Sequence, residues 1–275
     1  MSSDKKNEIV FHNERYKDGQ DSRSKFEKFY LVTIKSQNFF KNLIRKKCKK
    51  TNTQKQIKLL DYGCGIDAHG KLGSIKKSNA PEKIYDFYNS LEVNFTGIDI
   101  SSEAIKIAKK NSKINNLNAK YFEMDAEKTT FPSETFDIII GKGILHHLSF
   151  DRCIPELSRL VKKNGSCIFF EPLGHNPIIN LGRLLTPGSR TKDEHPILQK
   201  DFKFFKKYFK VVNFHYFCCF NLIAFLFYKT SKFRNILSFL TKIDEKIFSI
   251  FPFLQKYSWI VVIEFENPII SKPKN

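Results

Sequence analysis

The chain has 275 residues, 41% of them hydrophobic, enough for one sizeable α/β domain with additions and too apolar for wholesale disorder. Its formal charge is +19, but 39 of its 47 basic residues are lysine and 8 are arginine, which describes a solvated lysine coat better than an arginine-rich nucleic-acid face. Six cysteines without a CxxC pair exclude a zinc ribbon and a disulfide scaffold; together with an N-terminal stretch, MSSDKKNEIVFHNERY, that lacks an apolar signal core, they make the cytoplasm the expected compartment.

In chain order, residues 1–50 are expected to hold a polar, mobile tail and one amphipathic helix. Phe11 and Tyr16 of the tail could fold over a ligand. From Ser22 to about Lys50 the aromatic and aliphatic residues of FEKFYLVTIKSQNFFKNLIRKKCKK recur at helical spacing.

Residues 51–172 alternate short apolar runs with amphipathic stretches. Expected strands are Ile57 to Asp61, Asn94 to Ile98, Ala119 to Phe122, Thr135 to Gly141 and Ser166 to Phe170. Expected helices run from Ser102 to Asn115, capped by Ser101 or Ser102, and from Asp151 to Lys163, closed by Asn164-Gly165. The order predicts a Rossmann-like, mostly parallel sheet covered on both faces, with ligands at the carboxyl ends of the strands.

Residues 173–275 should complete the same domain. A short helix feeds a sixth strand in FKFFKKYFKVVNFHYFCCF, and SWIVVIEFE (258–266) is the last strand. Between them LIAFLFYKTSKFRNILSFLTKIDEKIFSIFPFL reads as two helices rich in Phe, Leu and Ile. This insertion suits core packing, a lid over a greasy pocket or contact with a membrane surface; polar interruptions argue against a bilayer span.

The ligand end opens with LLDYGCGIDAHG, residues 59–70. Gly63 and Gly65 permit a tight turn and close approach of a ligand to bare backbone, with Cys64 between them. With Ala68 the spacing also approaches a dinucleotide fingerprint, but Asp61 and Asp67 set negative charge where a pyrophosphate would be repelled. A cationic ligand without phosphate removes that conflict. Asp99, followed by Ile100, can accept ribose hydroxyls, and Asp125, with Ala126 beside it, can accept an adenine amine. Asp99 lies farther along the chain from the turn than the about 20 residues of the dinucleotide pattern.

The segments LLDYGCG, FTGIDISSEAIKIA, YFEMDAE, FPSETFDIIIGKGILHHL and ELSRLVKKNGSCIFFEP together resemble the class I S-adenosylmethionine-dependent methyltransferases, in particular the ubiquinone/menaquinone-type and natural-product enzymes. The resemblance implies a seven-stranded Rossmann-like sheet and S-adenosylmethionine as cofactor. It further implies that Asp61, Gly63, Cys64 and Gly65 line its methionine and ribose end, that Asp99 and Ile100 hold the ribose, that Asp125 and Ala126 face adenine, and that Lys142 lies at the pocket wall.

On the acceptor side, His147, His146 and Glu171 are the catalytic candidates. Imidazole titrates near neutral pH and a carboxylate can orient it. His175, Asn176, Arg183, Arg190 and His195 are the substrate-binding candidates, an arginine being suited to an acceptor carboxylate or phosphate. No HxExxH or three-histidine pattern is present in the sequence, so no metal is expected. The expected reaction is methylation of an oxygen or carbon of a small, hydrophobic biosynthetic intermediate. The alternatives are an RNA methyltransferase using the basic surface, an NAD-dependent oxidoreductase, and a noncatalytic cofactor-binding or membrane-associated scaffold. Oligomeric state is not legible.

Overall fold

The structure is a computed structural model, and it describes residues 3–17, 31–51, 56–66, 84–186 and 194–269. In chain order the helices and strands are α1 (Ser3–Tyr16), α2 (Ile34–Thr51), β1 (Lys58–Tyr62), α3 (Ile84–Asn89), β2 (Asn94–Asp99), α4 (Ser102–Ile114), β3 (Ala119–Glu123), β4 (Phe136–Lys142), α5 (Phe150–Leu160), β5 (Val161–Pro172), α6 (Pro177–Leu185), α7 (Phe202–Phe205), β6 (Phe209–Phe217), α8 (Phe233–Ile250) and β7 (Ile260–Pro268).

The strands form one seven-stranded sheet in the order β3-β2-β1-β4-β5-β7-β6, parallel from β3 to β5, with β7 antiparallel to both its neighbours. Side-chain alternation along the central strands produces two cores. Leu59, Ile138, Ile140, Ile168 and Phe170 face a cluster that includes Phe40 and Ile44 of α2 and Ile105 of α4. Leu60, Ile139, Cys167 and Phe169 face the other, with Ile154 and Leu157 of α5 and Phe205 of α7. A sheet buried on both faces has no polar side to alternate with, which is why its strands read as nearly continuous apolar runs.

The expected Rossmann-like sheet is present, with local differences. Residues 3–16 form α1 instead of a mobile tail, because their polar groups find partners on the core. The helix expected from Ser22 is described from Ile34 onward, preceded by a 3₁₀ turn over residues 31–33, and residues 22–30 lie outside the described residues. The helix expected to reach Lys163 stops at Leu160, because Val161 pairs with Phe136 and takes the chain into β5. The first helix of the insertion is a tighter 3₁₀ run, Phe220–Phe227. Its entrance is held by the buried Asp244 carboxylate, which accepts from the Cys219, Phe220 and Asn221 amides at 3.1, 2.7 and 3.3 Å.

At the far edge of the sheet, Lys47 of α2 pairs with Glu264 and, at 2.7 Å, with Glu266 of β7. His215, 3.7 Å from Glu264, is the largest influence holding the Glu264 carboxyl down to about 2; burial opposes it, and Lys47 and Asn213 assist. A carboxylate depressed in the folded state contributes stability that is fully present above its unfolded value and lost as pH falls through its folded value. Glu264→Gln is therefore expected to cost about 1–3 kcal/mol near neutral pH, with the gap to wild type closing as pH drops from about 4.5 toward 2. Urea melts across that range would show it; a gap independent of pH would disprove the assignment.

Candidate active site

The two glycines of the turn after β1 have backbone that favours glycine, with φ of +80° at Gly63 and +59° at Gly65. A Cβ on Gly63 would also lie 2.6 Å from the Ile144 side chain. The Gly63 and Cys64 amides donate to the Ile98 carbonyl at 2.9 and 2.8 Å, and the Gly65 amide donates to Asp99 Oδ2 at 2.8 Å. Asp99 Oδ1 accepts from the Ser101 amide at 2.9 Å. One carboxylate thus ties the glycine turn to the start of α4, and burial raises its pKa against those two hydrogen bonds.

Asp61, Asp99 and Asp125 stand at the carboxyl ends of the neighbouring strands β1, β2 and β3, or just beyond. Asp61 is fully buried and accepts from the Tyr88 hydroxyl at 3.0 Å. The Asp125 contacts with Lys5 and with the Glu127 amide, both 2.9 Å, use Oδ1, leaving Oδ2 to accept from an exocyclic amine. A carboxylate oxygen has a second lone pair, so Asp99 can also accept from ribose hydroxyls while holding the turn. Three acids around a bare backbone bend suit a cationic nucleoside without phosphates and oppose a pyrophosphate. These residues fit S-adenosylmethionine, and the dinucleotide reading loses its electrostatic basis.

The remaining cofactor-side residues divide by role. Ala126 is buried and its carbonyl accepts from the Tyr62 hydroxyl. Ile100 is half-buried directly after Asp99. The Cys64 side chain is buried in the core cluster beside Gly97, where the Sγ lies 3.0 Å from the position a Cβ would take, so any lining of the turn falls to its backbone. Asp67 and Ala68 lie outside the described residues. Lys142, at the end of β4, has its ammonium 5.4 Å from the Phe170 ring centroid. Burial, reinforced by Lys41 and opposed by Asp61, pushes its pKa down to about 8.

Across β4 and β5, Glu171 is fully buried. Its Oε1 accepts from the Ile144 and Leu145 amides, both at 2.9 Å, and its Oε2 lies 2.7 Å from His146 Nδ1. A carboxylate oxygen accepts, so this contact makes Nδ1 of His146 the donor and leaves Nε2 at the opposite side of the ring. His147 belongs to the same short turn, Leu145–His147, but its Nδ1 is 3.6 Å from Glu8 of α1. Of the two histidines, His146 carries the carboxylate-oriented arrangement.

The substrate-side candidates are mostly given structural jobs. Asn176 is buried; its Oδ1 caps α6 by accepting from the Ile179 amide at 3.1 Å, and its Nδ2 donates to the Tyr257 carbonyl at 2.7 Å. His175 Nε2 accepts from the Gln199 amide at 3.3 Å. His195 donates its amide to the His146 carbonyl at 2.8 Å and sets its ring against Phe150. Arg183 lies 3.8 Å from Glu194. Arg190 lies outside the described residues.

The residues not anticipated lie on α1, which spans the carboxyl edge of the sheet. Lys5 meets Asp125 and Glu127 at 2.9 and 3.1 Å, Asn13 accepts from Ser101 at 2.7 Å, and the Tyr16 hydroxyl stands 3.3 Å from the Cβ position of Gly65. Tyr16, expected to fold over a ligand, stands here against the glycine turn; no periodicity announces Lys5 or Asn13.

A family model for a methyltransferase domain matches residues 82–169, the segment containing Asp99, Asp125, Lys142 and His146. Over that segment the chain is similar to a methyltransferase domain, and its seven-stranded sheet has the fold of the class I S-adenosylmethionine-dependent methyltransferases. Among the chain's relatives, a ubiquinone biosynthesis O-methyltransferase of Coxiella burnetii is 30% identical over 129 residues, 45% of this chain and 47% of that protein. A probable polyketide synthase of Dictyostelium discoideum is 28% identical over 164 residues, 53% of this chain and 6% of that protein. The chain thus spans about half or less of these curated relatives. Phosphoethanolamine N-methyltransferase 2 of Haemonchus contortus, solved with S-adenosyl-L-methionine, shares the fold at a TM-score of 0.53 and 16% identity over 82% of this chain and 52% of that one. So does the [4+2]-cyclase SpnF, at 0.51 and 15% over 82% of this chain and 80% of that one.

Lys142 gives a direct check on the site's electrostatics. A lysine depressed in the folded state makes stability rise with pH between its folded and unfolded values, because the unfolded chain binds the extra proton there. Lys142→Met is therefore expected to be more stable than wild type below pH 8, the difference shrinking as pH approaches about 10.5. Parallel stability curves in chemical denaturation would contradict this.

Proposed function

We propose that this protein transfers a methyl group from S-adenosylmethionine to an oxygen or carbon of a small, hydrophobic biosynthetic intermediate. When bound, the cofactor supplies a methyl group activated by its sulfonium charge. Asp99 would hold the ribose, Asp125 the adenine amine, and Asp61 would add negative charge near the cationic end. His146 Nε2 would take the acceptor's proton, and Glu171 acts as a positioning residue that fixes the imidazole. The observation that carries this reading is the His146–Glu171 pair at the end of β4 and β5, beside the row of carboxylates on β1 to β3. Positioning and exclusion of water are the main demands of such a transfer, and α1 over the cleft suits both.

An apolar acceptor is supported by what lies next to the site. Ile178, Leu181, Leu184 and Leu185 of α6 are exposed, as are Ile223, Leu226 and Phe227 of the 3₁₀ run, Phe239 and Ile250 of α8, and Phe251 and Phe253 just beyond. The Asn176 bond to Tyr257 joins α6 to this insertion. Exposed lysines 229, 232, 242 and 246 accompany these apolar groups. Exposed apolar groups accompanied by lysine are complementary to an anionic bilayer, from which a hydrophobic acceptor could be collected. Among the described residues no helix is long and apolar enough to cross a membrane. All six cysteines are buried and no disulfide joins them, which supports a reducing, cytoplasmic setting.

Incubated with labelled S-adenosylmethionine, the protein is expected to label a component of a lipid extract and not tRNA or rRNA; exclusive labelling of RNA would overturn the acceptor class. His146→Ala should lower kcat by about 10²–10⁴-fold with S-adenosylhomocysteine affinity unchanged in calorimetry. Equal losses in both would make His146 structural. In flotation, the protein should rise with phosphatidylglycerol vesicles and not with phosphatidylcholine vesicles, and Leu184→Asp with Leu226→Asp should abolish this. Equal recovery of wild type and variant would exclude this face.

A further inference from the structure

Beside the His146–Glu171 pair, α1 and the turn after β4 bring together a second group of donors. Glu8 and His12 are one helical turn apart on α1 and project from the same face, and His147 approaches them from the core. Glu8 Oε1 is 3.6 Å from His147 Nδ1 and 3.9 Å from His12 Nε2, and one donor atom from each of the three lies within 4.8 Å of the others. Glu8 and His147 are buried and His12 is half-buried. The His12 and His147 rings cross nearly at right angles with centroids 5.6 Å apart.

Those two separations are longer than hydrogen bonds, whose donor and acceptor approach to about 2.7–3.2 Å. They are close to the spacing a shared ion imposes: bonds of about 2.0–2.1 Å in a tetrahedron set neighbouring donors about 3.4 Å apart. The third separation, between the His12 and His147 donors, is within 4.8 Å, so closing the group onto an ion asks the two imidazoles to approach by at most about 1.4 Å, within the reach of side-chain rotation. Two imidazoles with one carboxylate are a donor set for a borderline ion such as zinc, whereas magnesium and calcium demand mostly oxygen.

We propose that Glu8, His12 and His147 form a binding site for Zn²⁺ that clamps α1 onto the turn after β4. Three protein ligands leave a fourth tetrahedral position; Glu194, grouped with His146 and His147 in the same way, is the neighbouring carboxylate. Since α1 also carries Lys5 to Asp125 and Tyr16 to Gly65, the ion would link metal content to closure of the cofactor cleft. The site stands independently of which acceptor is methylated.

The test uses the full chain, stripped with chelator and titrated with Zn²⁺ by calorimetry and with Co²⁺ by visible absorption. Saturable Zn²⁺ binding, tetrahedral Co²⁺ bands, and slower hydrogen exchange in α1 on adding Zn²⁺ are expected. His12→Ala and Glu8→Gln, each checked for an unchanged circular dichroism spectrum, should each weaken Zn²⁺ binding by at least about tenfold. Lack of saturable binding, Mg²⁺ binding as strong as Zn²⁺, or wild-type affinity in both variants would overturn the proposal.

Discussion

The Asp99 carboxylate, with one oxygen on the Gly65 amide and the other on the Ser101 amide, is the constraint on which the candidate site depends. It fixes a left-handed turn that would otherwise have many conformations to lose on folding, and it sets that turn against the first residues of α4. The sheet then does the rest: three adjacent parallel strands end at one edge, and each delivers an acid there.

The opposite half of the site is built by the same device. Glu171, buried without solvent, takes two amides of the turn after β4 and the imidazole of His146. A buried carboxylate is costly unless its oxygens are satisfied, and satisfying them with backbone amides makes the turn's shape and the imidazole's orientation inseparable. Asp244 repeats the pattern at the insertion, where three consecutive amides converge on one carboxylate. Buried acids here serve as structural knots as well as chemical groups.

This explains what could be read in the chain and what could not. Asp61, Asp99 and Asp125 were legible because each closes or follows a short apolar run, and the parallel sheet follows from the strand and helix periods. The choice between His146 and His147 was not, since it depends on Glu171 on another strand. The docking of α1 was also hidden: MSSDKKNEIVFHNERY has little apolar periodicity, and its grip on the body runs through long-range polar contacts such as Lys5 with Asp125. Asn176 looked like a ligand group because it is polar between apolar segments, yet a polar residue before Pro177 is equally what a helix cap requires. The 3₁₀ run at Phe220–Phe227 was misread because an apolar string of that length does not reveal its pitch.

The Lys5–Asp125 contact uses only half of the acid: the tethered ammonium holds Oδ1, and Oδ2 takes no part in it. On the proposed reading a lysine nitrogen and an incoming amine nitrogen would share one carboxylate, so the latch need not open for the cleft to fill. Latch and occupant would then be coupled through a common anion, and shortening that side chain would be felt by both.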